Sequence, residues 1–218
     1  MFLIVNPIIE LLALIASIIF LSKDRTWWRY FIYYLAVVVL TEGSATYLII
    51  VEGVKTNNWI FNLYLPLQYI FYFYLFKNLL GFKRSIAKRV IIAGICLIFL
   101  VYALEIYSDG FSQLAYRSIA WSNIWFFILC CLYFFLLLKR EDYFSLGTYP
   151  PFWILSGILF HALGSTMTLI FYQSLIEIYY TYKLPLKQVI YIFLNFIMYS
   201  FWIYAFLCRY QSRISSSS

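Results

Sequence analysis

Charge is what this sequence has least of. Its 218 residues include 9 acidic side chains, 16 basic ones and a single histidine, so 11% of the chain is charged, against about 25% in soluble domains. So thin a polar coat cannot cover a water-soluble fold of this size. A disordered chain is excluded too, because disorder goes with high charge and few aromatics. Cysteine is scarce: Cys96, Cys130, Cys131 and Cys208 form no C-x-x-C pair and fall inside apolar stretches. They are expected to be reduced, small apolar packers, which excludes a disulfide scaffold and a thiolate zinc site. No G-x-S-x-G elbow, H-E-x-x-H helix or phosphate-binding loop occurs.

What the chain has instead is hydrocarbon. It is 65% hydrophobic, with 22 Phe, 22 Tyr and 7 Trp, and its mean hydropathy is +0.85. A helix needs about 20 apolar residues to cross the hydrocarbon core of a bilayer. Seven runs qualify by length: Phe2–Leu21, Tyr30–Val51, Trp59–Phe76, Val90–Tyr107, Ser118–Leu138, Phe152–Phe171 and Val189–Cys208. None contains Lys or Arg. With the connecting segments taken alternately, one side holds Lys23, Arg25, Arg29, Lys77, Lys83, Arg84, Lys88, Arg89, Lys139, Arg140, Arg209 and Arg213. The other holds Lys55, Arg117, Lys183 and Lys187. The richer side is expected to face the cytoplasm. The predicted fold is therefore an all-α, polytopic membrane bundle of seven transmembrane helices, N-terminus outside and C-terminus cytoplasmic. The net charge of +7 is explained by this topology, and no nucleic-acid partner is expected.

The first run lacks a preceding basic residue and a following cleavage pattern, so it is expected to be a retained span rather than a signal peptide. Residues 1–208 form one transmembrane domain, and 209–218 a short, flexible cytoplasmic tail. The longest connections, Tyr172–Gln188 outside and Lys77–Arg89 inside, are too short for an output domain. Seven spans also admit a 3+1+3 duplication. Gly43-Ser-Ala-Thr-Tyr-Leu-Ile49 resembles Gly164-Ser-Thr-Met-Thr-Leu-Ile170, and Asn62 and Asn195 lie at similar distances before an inner-side basic residue.

The informative side chains are the polar ones inside the runs, since an intramembrane charge costs about 2.5–3.5 kcal/mol on insertion scales. They are Asn6 and Glu10; Glu42, Ser44 and Thr46; Asn62, Pro66 and Gln68; Ser122 and Asn123; His161, Ser165 and Thr168; and Tyr191, Asn195 and Tyr199. Most recur at helical spacing and so stripe one face of their helix. Under the predicted topology they occupy outer halves or the midplane, while the inner halves (Tyr69–Phe76 and Phe127–Leu138, for instance) are almost wholly apolar. The expectation is an outward-facing polar chamber above a dry aromatic plug, with Glu10, Glu42, Thr46, Asn62, Gln68, Asn123, His161, Ser165 and Asn195 as candidate ligand-binding residues. Glu10 and Glu42 are the only acids deep in the runs, and no intramembrane Lys or Arg is available to neutralise them. They must be protonated, paired with protonated His161, or matched by a bound cation. Two neutral carboxylic acids bridging helices is the plainest of these readings; a proton or cationic ligand is the functional one. One His and two Glu on three helices give no spacing that specifies a metal, and no cofactor is implied. Seven runs would suit a retinal protein, but the last has no mid-membrane Lys. Trp27, Trp28, Trp59, Trp121 and Trp153 lie near run ends and read as interfacial anchors. Pro66 reads as a tolerated kink.

Three segments carry a resemblance: Asn62-Leu-Tyr-Leu-Pro66-Leu-Gln68-Tyr-Ile-Phe-Tyr, Pro150-Pro-Phe-Trp153-Ile-Leu-Ser-Gly157, and Asn195-Phe-Ile-Met-Tyr199 through Ala205-Phe-Leu-Cys208. With these the chain resembles a group of small, stand-alone seven-span proteins of Bacteroidota, across most of its length and in structural rather than catalytic motifs. The resemblance implies the inner membrane of a Gram-negative cell and no activity. Where that group prefers Glu after the proline, this chain has Gln68, so no charged role transfers there. The leading expectation is a sensory or accessory, receptor-like subunit acting through a membrane protein partner or a second copy of itself. A small 3+1+3 transporter, or an enzyme using Glu42 and His161 as acid and base on lipid head groups, are the alternatives.

Overall fold

The computed structural model describes residues 2–54, 56–80, 85–139 and 145–215. Among these residues the chain forms helices α1 (Phe2–Leu21), α2 (Tyr30–Ile50), α3 (Asn58–Leu80), α4 (Ser85–Asp109), α5 (Tyr116–Leu138), α6 (Pro150–Ile170), α7 (Tyr172–Tyr182) and α8 (Leu186–Ser215), with two single 3-10 turns and no strand. Six helices (α1, α2, α4, α5, α6 and α8) are long and apolar enough to cross a membrane. The chain is therefore a multi-pass helical membrane protein. Helix α3 has the length, 23 residues, but its Asn, Gln, Pro and Tyr content dilutes its hydropathy. Outward-facing residues such as Ile8, Leu12, Ile19, Leu40, Leu104 and Phe193 are exposed, as a lipid-facing surface requires.

Two expectations are corrected. The segment Tyr172–Gln188, taken for a loop, contains the 11-residue helix α7, which ends at Lys183 in the left-handed conformation. The last helix does not stop at Cys208: it continues to Ser215, so the expected flexible tail is helical where it is described. The reason is an anchor. Arg209 Nε donates to Asp24 Oδ2 at 2.8 Å, and its guanidinium stands over the Trp28 ring at 5.9 Å. The first of the four terminal serines closes α8; Lys55, Lys83, Arg84, Arg140, Glu141, Asp142 and Ser216–Ser218 lie outside the described residues.

Helix α1 packs on α2 and α8, α2 on α3, α3 on α5, α5 on α6 and α6 on α8, which closes a ring of six helices. Helix α4 leans on α3 and α5 from outside the ring, and α7 rests against α6 and α8. The α6–α8 contact depends on small residues, as close helix approach in lipid does. A Cβ on Gly157 would lie 3.1 Å from the Met198 carbonyl oxygen, and one on Gly164 would collide with Leu194.

One half of the ring is filled by rings of another kind. Trp202 is fully buried and meets Phe31 edge-on at 5.2 Å, with Tyr199 at 5.7 Å and Tyr34 at 6.1 Å. Its indole N–H donates to the Ile154 carbonyl at 3.3 Å. Tyr34 stacks on Phe71 at 3.9 Å, and Phe126 packs against Tyr72 at 4.8 Å. Trp28, expected at the interface, is instead buried in this cluster, stacked on Phe31 at 5.6 Å; its place is fixed by aromatic neighbours and the Arg209 cation rather than by head groups. Asp24 seals this end, also accepting from the Thr26 N–H at 2.8 Å and its hydroxyl at 2.6 Å. Burial alone would raise the Asp24 carboxyl. The hydrogen bonds from Arg209 and Thr26, with the guanidinium charge, outweigh it and hold the carboxyl below its ordinary value.

Candidate functional site

The other half of the ring is hollow. A cavity of about 300 Å³ is lined from all six helices of the ring and from none of α4. Its size is at the lower end of small-molecule pockets. Helix α1 contributes Asn6 and Glu10; α2 Tyr34, Thr41 and Glu42; α3 Tyr64, Gln68 and Tyr72; α5 Ser122 and Asn123; α6 His161 and Ser165; and α8 Lys187, Tyr191, Asn195 and Tyr199. The α8 residues recur every fourth position, one helical face about 18 Å long at about 1.5 Å per residue. The stripes drawn from the sequence thus converge on one space.

Within it the polar groups are unequally satisfied. Tyr34 and Tyr64 share a hydroxyl hydrogen bond of 2.6 Å, and the Asn123 amide donates to Ser165 Oγ at 3.0 Å. His161 lies beside Asn195 across the α6–α8 contact. Glu10 is 2% exposed, and its carboxylate is near enough to Glu42 for their charges to interact. Its Oε2 atom, together with Asn6 Oδ1, is buried without any hydrogen-bond partner among the described residues. An unsatisfied buried polar atom costs about 1–3 kcal/mol, and two of them, both on α1, line this one cavity.

Glu10, Glu42, Gln68, Asn123, His161, Ser165 and Asn195 are brought together as expected from their positions. Thr46 lies next door, in an adjoining hollow of about 370 Å³ that shares Asn6, Glu42, Lys187 and Tyr191 with the chamber and adds Asn57. Asn62 is not a chamber residue. Its amide donates to the carbonyls of Phe111 at 2.9 Å and Gln113 at 2.6 Å, and its Oδ1 accepts from the Ala115 N–H at 3.1 Å. It clamps the α4–α5 connection, supplying partners to three of its backbone polar groups. The Gly43 and Gly164 segments also differ: Gly43 and Ser44 face outward with open space around Gly43, whereas Gly164 is pressed against Leu194, so the shared letters do not share an environment.

Several residues of the site escape a reading of the sequence. Lys187 is the second residue of α8 and lines the chamber, its antechamber and a groove of about 580 Å³ between α7 and α8. Its ammonium sits over Tyr172 at 4.7 Å and Tyr116 at 5.7 Å. The expectation that no Lys accompanies the two glutamates is thereby corrected; the four-residue spacing to Tyr191, Asn195 and Tyr199 was the available signal. Tyr34, Tyr64 and Tyr72 carried no signal in a chain with 22 tyrosines. Glu105, near the end of α4, is 4% exposed and caps α5, accepting from the N–H groups of Arg117 and Ser118, each at 2.8 Å. That is a favourable place for a carboxylate, at the positive end of a helix. Among the described residues no group of three or more His, Cys, Asp or Glu side chains is placed to hold a metal. Compared with protein-family models, with curated proteins and with solved structures, the chain finds no match.

Proposed function

We propose that the protein is a receptor-like subunit of a bacterial inner membrane, with seven spans, its N-terminus outside and its chamber open to the periplasmic side, which binds a small ligand and passes the change to a membrane partner. Seven helices of at least 20 residues and the placement of the basic residues support the topology. The resemblance to small seven-span proteins of Bacteroidota supports the location. The observation that carries the reading is the asymmetry along the bundle: a chamber holding an orphaned carboxylate oxygen lies above a floor in which Trp202, Tyr69, Phe31, Phe76 and Phe206 are fully buried. Such a site takes a ligand in and leaves no polar path onward, which favours binding over conduction.

The test pairs binding with flux. The protein in lipid nanodiscs is expected to bind a ligand saturably, while the same protein in sealed liposomes moves none of it. Flux that depends on Glu10 and Glu42 would overturn the reading in favour of transport. One observation favours a second reading: Glu42 and His161 line the same chamber, an acid–base pair available for head-group chemistry. Turnover of a lipid head group that is lost in His161→Ala would move the protein to that class.

A further inference from the structure

The acidic and basic side chains of the chamber are not paired with one another, and where they are left unpaired is specific. Glu10, Glu42 and Lys187 line it, with His161, and among the described residues no ion pair joins Lys187 or His161 to either carboxylate. Lys187 stands at the start of α8, its ammonium held over Tyr116 and Tyr172. Tyr199 is three helical turns further along that face, about 18 Å, and it is Tyr199, with Tyr64, that lies within electrostatic reach of Glu10. The lysine therefore stands at the outer end, and the Glu10 carboxyl at the inner end has no ion-pair partner among the described residues. Glu10 Oε2 is the buried oxygen without a partner there, on a side chain 2% exposed.

The walls around that oxygen are aromatic. Tyr34, Tyr64, Tyr72 and Tyr199 line the same end of the cavity. A carboxylate among tyrosine rings is the chemistry that recognises an organic cation, which takes its counter-ion on one side and ring faces on the others. A bare metal ion fits less well, since a volume of about 300 Å³ exceeds a single coordination shell and no trio of metal-ligating side chains is present among the described residues. We infer that the inner end of the chamber binds a small monovalent organic ammonium, with Glu10 as its counter-ion and the rings of Tyr64 and Tyr199 as its walls. This rests on the reading of the chamber as a binding site and names what it binds.

The experiment uses the full chain in nanodiscs, titrated by calorimetry with methylammonium and tetramethylammonium chloride, and with sodium chloride at matched ionic strength. The ammonium probes are expected to bind saturably and sodium not at all. Glu10→Gln, which keeps the size of the side chain, is expected to weaken ammonium binding at least about tenfold, as losing a desolvated charge partner does, while its melting temperature stays at or above that of the wild type. Tyr64→Phe should bind within about threefold of wild type and Tyr64→Leu about tenfold more weakly, because the ring rather than the hydroxyl holds the cation. Unchanged ammonium binding in folded Glu10→Gln, equal binding of sodium, or no saturable ammonium binding to folded wild type would each overturn the inference. Saturable binding of acetate or glycerol in place of ammonium would also overturn it, yet leave the receptor-like reading intact. Flux of a bound ammonium across liposomes would do the reverse.

Discussion

The two halves of the bundle are built from the same helices and obey opposite rules. In the aromatic half, Trp202, Phe31, Phe76 and Phe206 are buried to the last few square ångströms, and the one buried carboxylate at its edge, Asp24, is held by Arg209 and Thr26. In the hollow half, Glu10 is as little exposed and has an oxygen that nothing among the described residues satisfies. Two carboxylates of similar burial, one paired and one not, separate residues tied into the fold from residues that line the chamber. Stability should therefore be concentrated in the first half and expendable in the second.

Substitutions that break this contrast rank by expected size. Trp202→Ala empties the centre of the aromatic cluster and should cost about 3–5 kcal/mol, as large-to-small changes of buried aromatics do; thermal melting in mild detergent reads it directly. Asn62→Ala frees three turn groups from the α4–α5 clamp and should cost about 3 kcal/mol, at roughly 1 per hydrogen bond, while leaving ligand binding in the intact chamber. Asp24→Asn should cost about 2 kcal/mol at pH 7, the range for a charged hydrogen bond. Because the folded carboxyl lies below its ordinary value of 3.8, its contribution is complete above that value and disappears as pH falls through the lower folded one. The gap in melting temperature between wild type and Asp24→Asn is thus expected to be flat from neutral pH to about 5 and to close below about 4. Glu10→Gln is expected to have the smallest effect, neutral or stabilising by up to about 1 kcal/mol, since the side chain keeps its size and the replaced Oε2 makes no hydrogen bond among the described residues. A Glu10→Gln loss as large as that of Asp24→Asn would erase the distinction between the halves.

The hollow half was the more legible in sequence, for a physical reason. Inside an apolar run every Asn, Glu, Gln or His stands against a plain background, and its cost in lipid requires it to face inward. Helical spacing then fixed which of them share a face, as for Asn6 with Glu10 or His161 with Ser165, and the convergence of six helices on one cavity follows. The run that became α4 carries no such residue apart from Glu105 near its end, and α4 is the helix outside the ring. Tyrosine defeats the same logic, because it is apolar enough to belong to any run and polar enough to matter in a cavity. Asn62 looked like Asn195 because sequence does not show that a distant turn folds back to meet it. Lys187 falls outside the last apolar run because hydropathy marks where that run begins, at Val189, whereas the helix begins about a turn earlier, at Leu186. The extra helix α7 and the extension of α8 past Cys208 depend on packing against α6 and on Asp24, contacts that lie far apart along the chain.

Water access from one side alone is the claim on which the rest depends, and thiol labelling tests it most directly. In a background freed of Cys96, Cys130, Cys131 and Cys208, single substitutions Ser165→Cys and Asn195→Cys probe the chamber, while Phe76→Cys and Phe206→Cys probe the aromatic half. A membrane-impermeant maleimide added to the outside of intact cells is expected to label the first pair, with labelling reduced by a chamber ligand, and the second pair should stay unlabelled from either face of the membrane. Labelling of Phe206→Cys from outside, or of Asn195→Cys from the cytoplasmic face alone, would contradict the account.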